Sequence, residues 1–265
     1  MIWKNAIERL ISLAYGGENI DRTGEIRKNN KGTDMMILVY HSHDNMQVEF
    51  LDQHHYITNT TYSNFKRGQV SNPYDITVNG IGYIGEGKYK TKKSPQRHTD
   101  AYNTWVTMLY RCYCDESTVY YKESTVCEEW LCYQNFAEWY ENNKYEVKGR
   151  LHLDKDILYP GNKIYEPNKC LLVPQRINML FVNKPNQRNL PNGIDKLNKG
   201  YSARYSGKDL GSFDTIEKAY KVYSQKKEEE IVKIANEYKS IIPQKVHDAL
   251  LRYEFDIHND RNYLI

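Results

Sequence analysis

At 265 residues the chain has room for one large domain or two to three small ones, and a hydrophobic content of 40% allows real cores, which argues against wholesale disorder. A mean hydropathy of -0.80, with no apolar run near the ~18 residues needed to cross a bilayer, excludes a membrane-spanning chain and gives no membrane partner. The net charge of +3 is too small to define a partner alone, but it is unevenly placed.

Residues 2–14 put Ile7, Leu10, Ile11 and Ala14 on one face at helical spacing before the breaker Gly16-Gly17. Lys4, Glu8 and Arg9 interrupt this stretch, so it does not read as a signal peptide, and an intracellular, cytoplasmic protein is expected. From Gly24 to Tyr62 the pattern becomes strand-like, with runs at 36–40, 47–51 and 56–62 and a turn at Asp44-Asn45. A small antiparallel sheet or barrel, SH3-like in size, is predicted as a β-rich module over 1–75. His41, His43, His54 and His55 fall beside its hairpin as surface turn and strand residues, without acid or thiol partners at ligand spacing.

Residues 76–100 hold glycines at 80, 82, 85 and 87 and then the run KYKTKKSPQRH, so a basic linker or arm is predicted. Lys88, Lys90, Lys92, Lys93 and Arg97 occur there with no acid between them. A second basic stretch, Lys184 to Lys208, holds six Lys or Arg against the single carboxylate of Asp195. Solvated surface is the ordinary reading of such runs; interleaving with Tyr, Asn and Gln also suits a phosphate backbone. The excess of 24 Tyr over 6 Phe fits thin cores and polar binding faces, since a tyrosine packs its ring while its hydroxyl stays wet.

Trp105, Met108, Leu109 and Cys112 keep a helical rhythm, and Trp130, Phe136, Trp139 and Tyr140 mark a second helix. Five cysteines without a secretion signal or a C-x-x-C pair read as reduced thiols rather than a disulfide framework or a zinc site. Residues 151–181 then give strand (LHLDKDIL), turn (PGNK), strand (KCLLV) and a helix opening at Pro174, a compact ββα unit. Beyond an Asn- and Pro-rich loop, GIDKLNKGYSARYSGKDLGSFD predicts three short strands, and Asp214 with Glu217 has the form of a capping box opening a helix that runs towards Pro243. The stretch VHDALLRYEF near the carboxyl end is also helix-like.

The segment HLDKDILYPGNKIYEPNKCLLVPQRIN resembles the HNH, or ββα-metal, nuclease motif in the version common in phage-encoded homing-type endonucleases. The resemblance implies Asp154 as a strand ligand and Asn178 as a helix ligand for Mg2+ or Mn2+, a hard ion suited to oxygen donors. His152 is then the candidate general base, because a neutral imidazole accepts a proton near pH 7. In many family members the His directly follows the acidic ligand; here Lys155 does, and alternation along an extended strand is what would bring His152, Asp154 and Asp156 to one face. Lys169 stands where the middle Asn would align, beside Asn168.

Residues 193–223 are similar to AP2-type domains in their Gly-Ile start, Tyr-x-Ala-Arg strand, Leu-Gly-x-Phe and Thr-x-Glu-x-Ala-Tyr. That likeness implies a three-stranded sheet laid on double-stranded DNA, with Lys196, Lys199, Tyr201, Arg204 and Lys208 as contacts and Leu210, Phe213, Ala219 and Tyr220 as core. The whole chain is thus expected to be α+β: the amino-terminal module, an HNH-like domain with supporting helices over 101–185, and an AP2-like domain with carboxyl-terminal helices over 190–265. The function expected is a metal-dependent endonuclease acting on double-stranded DNA in a phage-infected bacterial host. The alternative is a DNA-binding protein, such as a phage regulator or an inhibitor of host defence, that keeps the fold without the chemistry.

Overall fold

The computed structural model describes residues 21–114, 123–183 and 186–263; the helix predicted at 2–14 lies outside them. The chain is of mixed α and β structure with several small sheets, none closed into a barrel among the described residues. No described helix is long and apolar enough to cross a membrane. Contacts divide the described residues into two compact units, one of residues up to 77 with 83–86, the other of residues 78–82 and those from 87 onward.

The first unit is an antiparallel meander of β1 (Ile26–Lys28), β2 (Asp34–Ser42), β3 (Asn45–Phe50) and β4 (Ile57–Thr60), in that spatial order. Because β1 and β4 remain edges, the sheet is open and not the barrel that its strand spacing also allowed. The period of two points Met35 and Ile37 of β2, and Met46, Val48 and Phe50 of β3, to one face, where all five are fully buried. Helix α1 (Tyr62–Lys66), capped by Thr61, adds Phe65 to this core, a burial of about 2–3 kcal/mol. The four histidines beside the hairpin are exposed.

In the second unit, the basic stretch forms a short hairpin of β5 (Lys92–Ser94) and β6 (Arg97–His98). Helix α2 (Asp100–Tyr113) follows, capped by the Thr99 hydroxyl. A two-residue strand β7 (Thr125–Val126) and a 3-10 turn lead into α3 (Tyr133–Asn143). Trp105 of α2 donates its indole N–H to the Trp130 carbonyl at 2.7 Å, and both rings are fully buried, so these helices pair through aromatic surface. Gly82 lies so close to Trp105 and Leu109 that a Cβ would sit 2.5 Å from the leucine, which requires a residue without a side chain there.

The ββα unit consists of β8 (Leu151–Asp154), the short β9 (Ile164–Tyr165), which pairs parallel with β7, then β10 (Leu171–Pro174) and α4 (Gln175–Asn178). Strands β8 and β10 are antiparallel, with Val173 opposite His152 and Leu171 opposite Asp154. Next come β11 (Ile194–Lys196), β12 (Tyr201–Tyr205) and β13 (Lys208–Phe213), a three-stranded antiparallel sheet. Helix α5 (Ile216–Glu237) packs Ala219, Tyr220 and Tyr223 onto Ile194 and Ala203 of that sheet. Its second half does something else. Ile231, Ile234 and Ala235 enter one core with Ile157, Leu171, Val173 and Ile177 of the ββα unit and Val246, Ala249 and Leu250 of α6 (Gln244–Leu251). One long helix therefore joins the ββα unit and the three-stranded sheet.

Thr215, not Asp214, caps α5. Thr215 is extended (φ -129, ψ 159) and its hydroxyl accepts the Lys218 N–H at 3.3 Å, whereas Asp214, one residue too early, pairs with the Lys218 ammonium at 2.8 Å. Thr215→Ala is expected to lower stability by about 1 kcal/mol, read as a shift in the urea midpoint, while Asp214→Ala changes it by less.

Candidate functional site

The β8–β10 hairpin is anchored by Leu151, Leu171, Leu172 and Val173, all buried, which leaves its connecting loop to satisfy its own polar groups. Asp154 closes that loop: its Oδ1 accepts the N–H groups of Asp156 at 2.9 Å and Ile157 at 2.7 Å. Lys155, itself buried, donates to both carboxylate oxygens of Asp156 at 2.9 and 3.0 Å and to the Asn162 carbonyl at 2.5 Å. Asn162 in turn donates to the carbonyls of Lys155 and Ile164. Burial, and after it the nearby charge of Asp156, pushes the Asp154 carboxyl up to about 6 despite the two N–H bonds.

His152 stands in a cleft of about 120 Å3 together with Asn178, Arg111 and Arg150. The cleft lies between α2, β8 and the end of α4, and Asn103, Thr107 and Met108 of α2 form its far wall. Partial burial, then the charges of Arg150 and Arg111, hold the His152 imidazole below its ordinary range, so it is neutral near pH 7. Asn178, half-buried, has no side-chain hydrogen bond to any described residue. The hairpin and helix thus bring His152 and Asn178 to one cavity, while Asp154 is not part of its lining and points into the loop knot.

The pair Asp154 and Asn178 does not fit a divalent cation as placed. A hard ion needs several accessible oxygens, and the Asp154 carboxylate is buried with one oxygen already shared by two amides. Among the described residues, no group of three or more His, Cys, Asp or Glu is positioned to hold a metal ion. The five cysteines are free thiols; burial pushes Cys112 up to about 11 and raises Cys127 and Cys170, which leaves these three poor nucleophiles.

Neither arginine was singled out by sequence reasoning. A signal existed for Arg150, since it precedes His152 by two residues and an extended strand repeats its direction at that interval. Arg111 carried none, because its place beside His152 depends on α2 packing across the hairpin.

The other candidate residues occupy two surfaces. Lys88 and Lys90 are exposed on a segment that α3 holds in place. Gln134 accepts the Tyr89 N–H at 2.9 Å and donates to its carbonyl at 3.0 Å, and Tyr133 donates to the Lys90 carbonyl. Lys92 and Lys93 lie on β5 and Arg97 on β6, with Lys93 paired to Asp100 at 2.6 Å. On the three-stranded sheet Lys196, Lys199, Arg204 and Lys208 are exposed and Tyr201 is half-buried. Lys196 donates to the Tyr201 hydroxyl at 2.8 Å and stacks over its ring. Ala203 is in the α5 core and its neighbour Arg204 is exposed, so alternation directs Arg204 to the face away from the helix. Asp195, the carboxylate on that sheet's first strand, is neutralised by Arg188.

Comparison of the chain with known protein families, characterised proteins and solved structures returns no match.

Proposed function

We propose that the protein is a DNA endonuclease in which His152 acts as general base at a phosphodiester seated in the cleft. The observation that carries this reading is the convergence of His152, Asn178, Arg111 and Arg150 on one cavity. Hydrolysis needs a water relieved of a proton and positive charge against the non-bridging oxygens; a neutral imidazole supplies the first and the guanidinium groups the second. Asn178 donates its amide N–H to the phosphate and fixes its orientation. The three-stranded sheet supplies affinity for duplex DNA through Arg204 and its flanking lysines. The test is relaxation of supercoiled plasmid by wild type, His152→Ala and Asn178→Ala, with Mg2+, Mn2+ and EDTA arms. Loss of nicking in both variants supports the reading, and wild type inert in every arm overturns it.

One observation favours a second reading. Asp154, the carboxylate that the ββα-metal resemblance assigns to the ion, is consumed by the loop. Duplex binding without nicking in any arm would make the chain a DNA-binding protein that keeps the ββα shape alone. In either case Arg204→Ala is expected to weaken duplex binding about tenfold and to lower the slope of log K against log salt by about 1, checked by fluorescence anisotropy over a salt series.

A further inference from the structure

We propose that the groove between the β5–β6 hairpin and the loop after α3 is a second DNA-backbone site, a track that leads a strand of duplex DNA into the His152 cleft. It rests on the reading that the cleft receives a phosphodiester. The groove measures about 760 Å3, several times the cleft, and the two adjoin, with Asp100, Arg150 and Leu151 lining both.

Its charge is what selects the partner. Lys93, Arg97, Lys144, Lys148 and Arg150 line it, as do Asp100, Glu141 and Glu146. Two of the three carboxylates are already neutralised within the wall, Asp100 by Lys93 and Glu141 by Lys144. Arg97, Lys148 and Arg150 are exposed and make no ion pair with any described residue, which leaves three cations against the single carboxylate of Glu146. These three come from different places, one on β6, one in the loop following α3 and one immediately before β8. An open groove of this size, lined by unpaired cations from three separate segments, has room for successive phosphates of a backbone rather than for one small anion alone. The hairpin presenting Arg97 is rigidly placed. Thr99 caps α2, the His98 Nδ1 lies 3.1 Å from the Thr91 carbonyl, and the His98 ring stacks on Tyr102 at 4.6 Å. Arg150 lines both cavities, so a strand seated on the groove cations lies next to the cleft that holds His152.

The experiment is anisotropy with a labelled 30-base-pair duplex in EDTA, over a salt series, with the full chain carrying Arg97→Glu and Lys148→Glu together. The control is Lys226→Glu with Lys233→Glu, which makes the same change in net charge on α5, outside both the groove and the cleft. The groove variant should lose about tenfold or more in affinity relative to the control, with a salt slope smaller by about 2, one for each phosphate contact removed. Equal affinity and slope in the two double variants overturn the proposal, as does wild type that shows no salt-dependent duplex binding. Matching urea midpoints confirm that both variants are folded. Because binding is read without hydrolysis, a wild type that binds through the groove but never nicks leaves this inference standing and removes the nuclease reading alone.

Discussion

His152→Ala should slow plasmid nicking by about 10²–10⁴-fold, the usual contribution of a general base, while duplex affinity changes little. The imidazole is the cleft's unpaired proton acceptor: the Asp100 carboxylate, which also lines the cleft, is held by the Lys93 ammonium at 2.6 Å, and guanidinium and amide groups do not serve as bases. The pH profile makes the prediction sharper. His152 is held below its usual 6.5 by burial first and then by Arg150 and Arg111, and its basic form is the neutral one. The nicking rate should therefore rise with pH through a midpoint below 6.5 and be level by pH 7.5. Arg150→Gln should move that midpoint upward, because a positive neighbour that disfavours protonation is gone. A rate still climbing between pH 7.5 and 9, or His152→Ala at the wild-type rate, would remove His152 from the base role. The midpoint shift in Arg150→Gln separates an electrostatic role for the arginine from mere packing.

Asp154→Asn should melt above the wild type at pH 7.5, the opposite of what replacing a metal ligand does in the presence of its ion. Burial lifts the Asp154 carboxyl from 3.8 in the unfolded chain to about 6. Between those values the native state holds a proton that the unfolded state has released, so this group's contribution falls as pH rises from about 4 to 6 and is constant above. The deficit at neutral pH is up to about 3 kcal/mol, since each tenfold gain in proton affinity on folding is worth about 1.4 kcal/mol. Asparagine keeps the oxygen that accepts from Asp156 and Ile157 and deletes the buried charge. Its difference from wild type should vanish below pH 4 and reach a plateau above pH 6. Asp154→Ala should melt below Asp154→Asn by about 1–3 kcal/mol, because two backbone N–H groups lose their acceptor inside the fold. Thermal melts across pH, with and without 5–10 mM Mg2+, check all three; a wild type raised by Mg2+ and an asparagine variant that is not would restore Asp154 as a ligand.

Much of the fold was readable from local chemistry. Met35, Ile37, Met46, Val48 and Phe50 alternate, and alternation on a half-buried sheet needs no knowledge of the rest of the chain. Trp105, Met108 and Leu109 fall on one helical face for the same kind of reason. The cap of α5 misled because Asp214 and Thr215 are both good caps, and only the backbone angles choose between neighbours. The candidate site was half legible. His152 and Asn178 lie on elements that the sequence marks, and both reach the cleft. The fate of Asp154 was not legible, since strand alternation carries it to the face of His152 only while the chain stays extended, and β8 ends at Asp154 itself. At that point two amides of the turning chain take its oxygen.

By itself the sequence determined the strands of the amino-terminal sheet, the helices around Trp105 and Phe136, the ββα segment that carries His152 and Asn178, the three strands and long helix after it, and the two basic stretches, because each depends on neighbours a few residues away, whereas the β5–β6 hairpin formed where a linker was expected. The tertiary structure alone decided that α5 joins the ββα core to the three-stranded sheet. It alone brought Arg111 of α2 beside His152, and it buried Asp154 in its own loop. Those outcomes turn on which distant surfaces exclude water from one another, and that is set when the elements pack, after local preferences have been spent.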